Sequence, residues 1–352
     1  AARLARAGAE VRKHAAKGSR NVVWTKPEDG GSGESSSTPV TTADVASDAI
    51  LRDGLDKSPF LVIDEESSAI IDRQSEGGTE ATFTWIDPLD ATREFSEGLD
   101  QYVSIMACLA HEGNPVAGLV YFPFLESCND KRPGKGCLWG AYRHHPDVPD
   151  LDESSWVLAD APTERMAVSS EEKKASILRD RVVIMSRTQS HKATALNLAA
   201  DVHTIEAGGT GYKIAKVLEG EAAAYVHTTH IKSWDLCAGD ALLRASGGSL
   251  TDLRGLALVY EPSDPVLRDG VFGTVHVDDT ERDRYFSPVV SRAPKKRKKK
   301  RKVHPGTVLT MVAVVSVLRL VLPKRFYSSE LSSRSSKPAS TTLSSSSSSS
   351  NV

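Results

Sequence analysis

The sequence predicts a protein of the α/β and α+β class, and three observations carry that reading. Residues 102–111 and 116–124 are two apolar strands joined by the turn Glu112-Gly113-Asn114-Pro115, and with the alternating strand at 82–86 they make a first sheet. Further on, strand, polar turn and helix recur: residues 181–185 lead through Ser186 to a helix at 193–200, and residues 202–205 lead to Ala207-Gly208-Gly209-Thr210. Such repeats form α/β units whose polar loops share one edge, where ligands bind. Third, acids stand at strand ends, Asp64-Glu65-Glu66 after the apolar run at 60–63 and Asp87 after 82–86.

Residues 2–16 set Ala, Leu and Val at helical spacing among Arg and Lys, an amphipathic helix. Residues 26–39 are rich in Gly, Ser, Glu and Pro and read as a flexible loop. Asp44 opens a helix with Val45, Ala49, Ile50 and Leu55 on its apolar face; an acid in a first turn is, by itself, a cap. Asp64, Glu65 and Glu66 repel one another unless a cation or solvent relieves them. After Asp87, Pro88 removes a backbone donor and turns the chain, so that Asp90 and the Leu89 carbonyl converge with Asp87 on one hard cation. Asp90-Ala91-Thr92 then opens a short helix whose first amides suit a phosphate oxygen. A turn with an aspartate cap is the plainer reading of these residues taken alone.

Residues 126–174 are charged and proline-dotted, with a strand at 137–142, and a boundary is placed between an N-terminal half, 1–180, and a C-terminal half, 181–290. A strand at 221–229 precedes Trp234-Asp235, and Asp235 opens a helix over 236–245 that Gly247-Gly248 ends. The tail, 291–352, holds eight consecutive basic residues at 295–302, an apolar run at 307–318 and a serine run.

The formal charge of −2 hides an asymmetry, because 14 Lys and Arg against one Glu from Ser291 onward leave −15 for residues 1–290. An acidic body argues against nucleic acid as its partner, and a phosphate substrate would need metal ions to bring it in. Cys108 and Cys237 sit in apolar runs and read as core thiols; Cys128 and Cys137 flank a loop and, although an oxidising compartment would let them pair, read as free thiols. No C-x-x-C spacing points to zinc. The chain begins at Ala1, so N-terminal sequence, with any targeting segment, is expected to be missing.

Residues 85–95 resemble the first signature of the inositol monophosphatase family of magnesium-dependent, lithium-sensitive phosphatases, D-P-x-D-[GA]-[TS] after a Trp-Ile strand. Ala91 stands where most members have glycine, a departure shared with the family's Golgi-type 3′-phosphoadenosine phosphatase branch. The string V-T-x-x-D at 40–44, a helix, an apolar strand and paired acids precede it as in the family, with Asp64 in place of a glycine and Glu65 at the metal-ligand glutamate. Residues 234–239 match the second signature, W-D-x-x-A-G, and Cys237 within it is similar to the Golgi-type branch. Gly209 and Lys213 match that branch's nucleotide-binding turn, G-G-x-G-x-K; Ser186 matches a further substrate contact, and Gln189 stands where the branch has a histidine that His191 would replace.

The resemblance implies an α/β and α+β layered sandwich, of the inositol monophosphatase and fructose-1,6-bisphosphatase kind, with metals at the seam of its halves. It implies that Glu65, Asp87, Leu89, Asp90 and Asp235 hold two or three Mg²⁺, that Thr92 and Asp44 carry the catalytic proton transfer, and that the 3′-phosphate of 3′-phosphoadenosine 5′-phosphate is removed to give AMP. Two alternatives stay open: a phosphatase of the same fold acting on inositol monophosphate or another sugar phosphate, and a non-catalytic phosphate-binding relative. A membrane-anchored body in the Golgi or ER lumen is expected, because the basic helix at 1–16 resembles the segment that follows an N-terminal anchor. A cytoplasmic body is the alternative, with the tail a membrane anchor, a localisation signal or disordered. The apolar run at 307–318 falls short of the ~17–25 residues of a spanning helix, and Arg319 interrupts it.

Overall fold

The computed structural model describes residues 1–27, 37–53, 60–66, 82–125, 136–143, 157–159, 171–187, 198–275 and 277–286, all within one compact unit spanning residues 1–293. The tail beyond it, Cys128, Gln189, His191 and most of the expected helix at 193–200 lie outside the described residues.

Helix α1 (Ala2–Ala16) buries Leu4, Ala7 and Val11, three to four residues apart on one face, and packs against α2 (Thr42–Arg52). Between them β1 (Val22–Pro27) and β2 (Ser37–Thr41) form an antiparallel ladder with Trp24 opposite Val40 and Lys26 opposite Thr38. The loop expected over 26–39 therefore has strand at both ends. Ladder pairing, which is not a local property of the sequence, outweighs the poor strand propensity of these Ser and Pro residues.

The first sheet holds β3 (Leu61–Asp64), β4 (Thr82–Asp90), β5 (Ser104–His111), β6 (Asn114–Phe122), β7 (Cys137–Tyr142) and β8 (Val157–Ala159) in that order, with β3 parallel to β4 and the other neighbours antiparallel. Side chains alternate between two cores. Val62, Ile86, Ile105 and Tyr121 face α1 and α2, while Ile63, Trp85, Met106 and Val120 face the middle layer. β4 does not end at Asp87 as expected; it runs through Pro88 to Asp90, with its register to β5 shifting between Asp87 and Asp90. A shift there tolerates the missing amide of Pro88 without ending the strand.

The middle layer is α5 (Thr210–Leu218) and α6 (Ser233–Ala245), numbered after α3 (Thr92–Ser96) and α4 (Glu171–Asp180). The second sheet, in the order β10 (His203–Ala207), β9 (Val182–Ser186), β11 (Ala224–His227), β15 (Val271–Thr274) and β13 (Ser249–Thr251), closes over it. A small pair, β12 (Ile231–Lys232) with β14 (Val266–Leu267), leads into α6. Ile184, Tyr225 and Val271 face α5 and α6, whereas Val183, Val226 and Phe272 face an outer core with Ile177 of α4 and Tyr285. The result is five layers, α/β/α/β/α. Leu198 pairs with Phe286 in an isolated bridge and residues 198–200 are not helical, so the expected helix does not extend to its predicted end.

The cysteine readings are corrected. Cys108 of β5 and Cys237 of α6 are buried as expected, but they form a disulfide across the interface of first sheet and middle layer, with Cα atoms 5.7 Å apart. Cys137 is disulfide-bonded as well, not a free thiol. Two thiols 129 residues apart carry no local sign of pairing; only the packing of α6 on β5 brings them together.

Candidate active site

Four elements end at one cleft: β3, β4 with the turn into α3, the Gly208-Gly209 turn before α5, and the start of α6. Glu65, Asp87 and Asp235 place one carboxylate oxygen each within 4.8 Å of one another. Asp87 is fully buried, and Glu65 and Asp235 are half-buried. Burial and the facing carboxylates of Glu65, Asp90 and Asp235 push the Asp87 carboxyl well above its ordinary range. Burial, Glu65 and Asp90 do the same to Asp235, although the Lys232 amide donates to Asp235 Oδ2 at 3.0 Å.

These residues fit a divalent cation. Asp87 Oδ1 accepts the Leu89 amide at 3.0 Å, but its Oδ2 is buried with no hydrogen-bond donor. A bare oxygen facing two further carboxylates is costly unless a cation satisfies all three. The Leu89 carbonyl lies at the same turn and accepts from Thr92 Oγ1 at 2.9 Å. Asp90 stands beside the three-acid cluster, its Oδ2 accepting from Ser104 Oγ at 2.9 Å and from the Gly211 amide at 2.8 Å, which ties β4 to the start of α5.

Thr92 and Asp44 are both buried, and Thr92 Oγ1 lies 2.8 Å from Asp44 Oδ1. The other Asp44 oxygen accepts from the Thr41 amide at 2.8 Å and from the Thr41 hydroxyl, closing a capping box at the start of α2. The cap reading of Asp44 is thus correct and incomplete. Burial raises its carboxyl to about 6, against the opposing pull of the Thr41 and Thr92 hydrogen bonds. Thr92 has one proton for two acceptors, and above that pH the ionised Asp44 is the stronger.

Ser186 ends β9 in register with Ala207, next to the glycine turn. Gly209 has φ +58, and a Cβ there would lie 2.3 Å from the Tyr102 carbonyl, so no other residue fits. Lys213 is 2% exposed, over the Tyr225 ring, with the charges of Asp90, Glu94 and Asp235 around it; burial, opposed by these acids, lowers its pKa.

Sequence reasoning missed two neighbours. Lys26 reaches from the hairpin to Glu65 Oε1 at 3.1 Å and Glu66 Oε1 at 2.8 Å. Glu94 packs against Gly208 and pairs with Arg187 at 3.3 Å, and burial raises its carboxyl. Lys26 lies in no motif. Glu94 was visible only as the acid two residues after Thr92 in a short helix.

Comparison with known proteins agrees with this geometry. The model of the inositol monophosphatase family matches residues 1–281. The chain is 33% identical over 206 residues to the "Putative inositol monophosphatase 3" of Drosophila melanogaster, covering 57% of this chain and 50% of that protein. It is 34% identical over 194 residues to the human "Golgi-resident adenosine 3',5'-bisphosphate 3'-phosphatase", covering 53% of this chain and 46% of that protein. The chain thus spans about half the length of the curated relatives it matches. Among solved structures, the extragenic suppressor protein suhB from Bartonella henselae superposes with a TM-score of 0.55 at 21% identity, over 77% of this chain and 90% of that one, which supports the layered α/β fold. With a family model covering most of its length, and the acids of both its signatures converging on one cleft, the chain belongs to the inositol monophosphatase family.

Proposed function

We propose that this chain is a magnesium-dependent phosphomonoesterase. The observation that carries the reading is the convergence of Glu65, Asp87 and Asp235 within 4.8 Å, next to the hydrogen-bonded pair of Thr92 and Asp44. Two or three Mg²⁺ would be held by these acids with Asp90 and the Leu89 carbonyl. Bound there, magnesium supplies the positive charge that a phosphate dianion needs in an acidic cleft and acidifies an attacking water. Thr92 Oγ orients that water and takes its proton while giving its own to Asp44 Oδ1, whose raised pKa suits a general base. In-line attack on phosphorus breaks its bond to the substrate oxygen, which leaves as the hydroxyl by taking a proton from solvent water, with no covalent phosphoenzyme.

The finer reading is removal of the 3′-phosphate of 3′-phosphoadenosine 5′-phosphate. It is supported by the human relative's activity, by Gly209 and Lys213 at the turn beside Asp90, and by Ser186 next to that turn. Gln189 and His191 remain proposed substrate contacts outside the described residues. A second reading, inositol monophosphate as substrate, is favoured by the Drosophila relative at nearly the same identity. The disulfide between Cys108 and Cys237 supports a luminal, oxidising location such as the Golgi. Among the described residues no helix is long and apolar enough to cross a membrane.

Phosphate release from 3′-phosphoadenosine 5′-phosphate, inositol 1-phosphate and fructose 1,6-bisphosphate, with and without Mg²⁺, tests both levels. Preference for the nucleotide supports the finer reading, and preference for inositol 1-phosphate replaces it. No metal-stimulated release from any of the three would overturn the phosphatase itself.

A further inference from the structure

On the outer side of the second sheet, α4 and residues 281–285 border a half-open pocket of about 200 Å³ that the proposed reaction does not use. Three guanidinium groups line it, Arg179, Arg181 and Arg284, against one carboxylate, Glu281. Their ion pairs are loose or turned to solvent. Arg181 meets Asp201 at 2.6 Å, on a side chain 64% exposed; Arg284 approaches Glu281 only to 3.8 Å; Arg179 has no ion pair among the described residues. A basic last turn alone would be explained by the partial negative charge at the end of α4.

One lining residue needs a different explanation. Tyr285 is 2% exposed, and its hydroxyl is buried without a hydrogen-bond partner. Buried hydroxyls are almost always paired, and among the described residues none accepts from this one. Burial, opposed by Arg181, holds Tyr285 at a pKa of about 12, which keeps the hydroxyl a donor at neutral pH. Three arginines and a hydroxyl donor in one lining, together with the apolar Leu178 and the Tyr285 ring, match an oxyanion with several acceptor oxygens.

We propose that this cavity is a second, non-catalytic binding site for a phosphate group, held by Arg179, Arg181, Arg284 and the Tyr285 hydroxyl. Arg181 immediately precedes β9 and Ser186 ends it, so five residue steps, about 16 Å at ~3.3 Å per residue, separate the cavity from the cleft. A ligand here does not touch Glu65, Asp87 or Asp235, and the proposal stands whether or not the phosphatase reading does. The group can belong to inorganic phosphate or to a small organic phosphate whose body lies against the apolar part of the lining.

Titration of the full chain with inorganic phosphate in excess chelator, followed by calorimetry, tests the site, because the metal-free cleft is acidic and repels the anion. One saturable phosphate per chain is expected, weakened at least about tenfold in an Arg179→Gln/Arg284→Gln double variant and several-fold in Tyr285→Phe, as lost charge-assisted hydrogen bonds require. Phenyl phosphate binding tighter than inorganic phosphate would assign an organic ligand, and equal or weaker binding the free ion. No saturable binding to the wild type overturns the proposal. So does binding that both the double variant and Tyr285→Phe retain in full, or that Lys213→Gln alone abolishes, which would place the anion in the cleft.

Discussion

Thr92 and Asp44 are 48 residues apart in the chain, yet their side chains meet at 2.8 Å in a buried hydrogen bond that joins the turn of the proposed metal site to the first turn of α2. One Asp44 oxygen caps the helix and the other receives Thr92, so helix packing fixes the direction of the proposed proton path. Thr92→Ala should lower kcat by about 10²-fold or more with little change in magnesium dependence, the usual size of a positioned proton transfer. An unchanged kcat would remove Thr92 and Asp44 from that role.

Asp90→Asn should abolish turnover while the protein stays folded. The amide oxygen can still accept from Ser104 Oγ and the Gly211 amide, but it contributes no charge to the cations. Loss of the charged acceptor should cost on the order of 1–3 kcal/mol, visible as a lowered denaturation midpoint. Retained activity at saturating magnesium would exclude Asp90 from the metal site.

The parts of this site that were legible in the sequence are those in which chemistry and strand ends coincide. Asp87, Asp90 and Thr92 follow an alternating strand within a few residues, and Asp235 opens an apolar helix, so local pattern was enough. The alternation of Val62 with Ile63 and of Trp85 with Ile86 likewise shows in sequence that both sheet faces are buried. Lys26, the pairing of Cys108 with Cys237, and the strand at Ser37 were not legible, because each depends on a partner elsewhere in the chain. The end of β4 differs from the expectation for a related reason: Pro88 reads as a stop, and only the shifted pairing with β5 lets the strand continue.

The disulfide should be a staple that resists reduction in the folded state. Cys108 is 2% exposed and Cys237 is fully buried, so a reductant reaches the bond only on opening. Closing a loop of 129 residues is worth about 4–5 kcal/mol in the chain-entropy model. A Cys108→Ser/Cys237→Ser variant should therefore unfold at clearly lower denaturant, and the wild type should keep its midpoint after native incubation with dithiothreitol. Labelling of Cys108 and Cys237 by a thiol reagent within minutes of adding reductant to the folded protein would contradict this.

Without metal, the cleft should make the protein less stable as pH rises. Asp44 and Asp48 are raised to about 6 and Glu66 to about 7, each chiefly by burial, and burial likewise raises Asp87 and Asp235 well above their ordinary range. A carboxyl whose folded pKa exceeds its unfolded value binds more protons when folded. Its stabilisation is complete below about pH 4 and is lost as pH rises through 6 to 7. For Asp44, a move from 3.8 to about 6 corresponds to roughly 3 kcal/mol. Metal-free protein should thus melt higher at pH 5 than at pH 7.5, and added Mg²⁺ should raise Tm more at pH 7.5. A metal-free Tm that falls steadily on acidification over that range would show that these groups do not dominate.

Ala91 and Gly209 face each other across the cleft, and each has positive φ, +72 and +58. A Cβ on Gly209 would lie 3.3 Å from that of Ala91 and 2.3 Å from the Tyr102 carbonyl. Alanine in the left-handed region costs about 1 kcal/mol, so Ala91→Gly should raise stability by up to that amount. Gly209→Ala has no such relief: its backbone angles, φ 58 and ψ 137, are open mainly to glycine, and the new methyl meets main chain that cannot move away without displacing β5. It should lose several kcal/mol and, because the Gly211 amide that holds Asp90 follows two residues later, it should weaken magnesium binding too. Urea melts and magnesium titrations of the two variants separate these outcomes. A Gly209→Ala protein with wild-type midpoint and magnesium affinity would show that the turn is freer than its angles require.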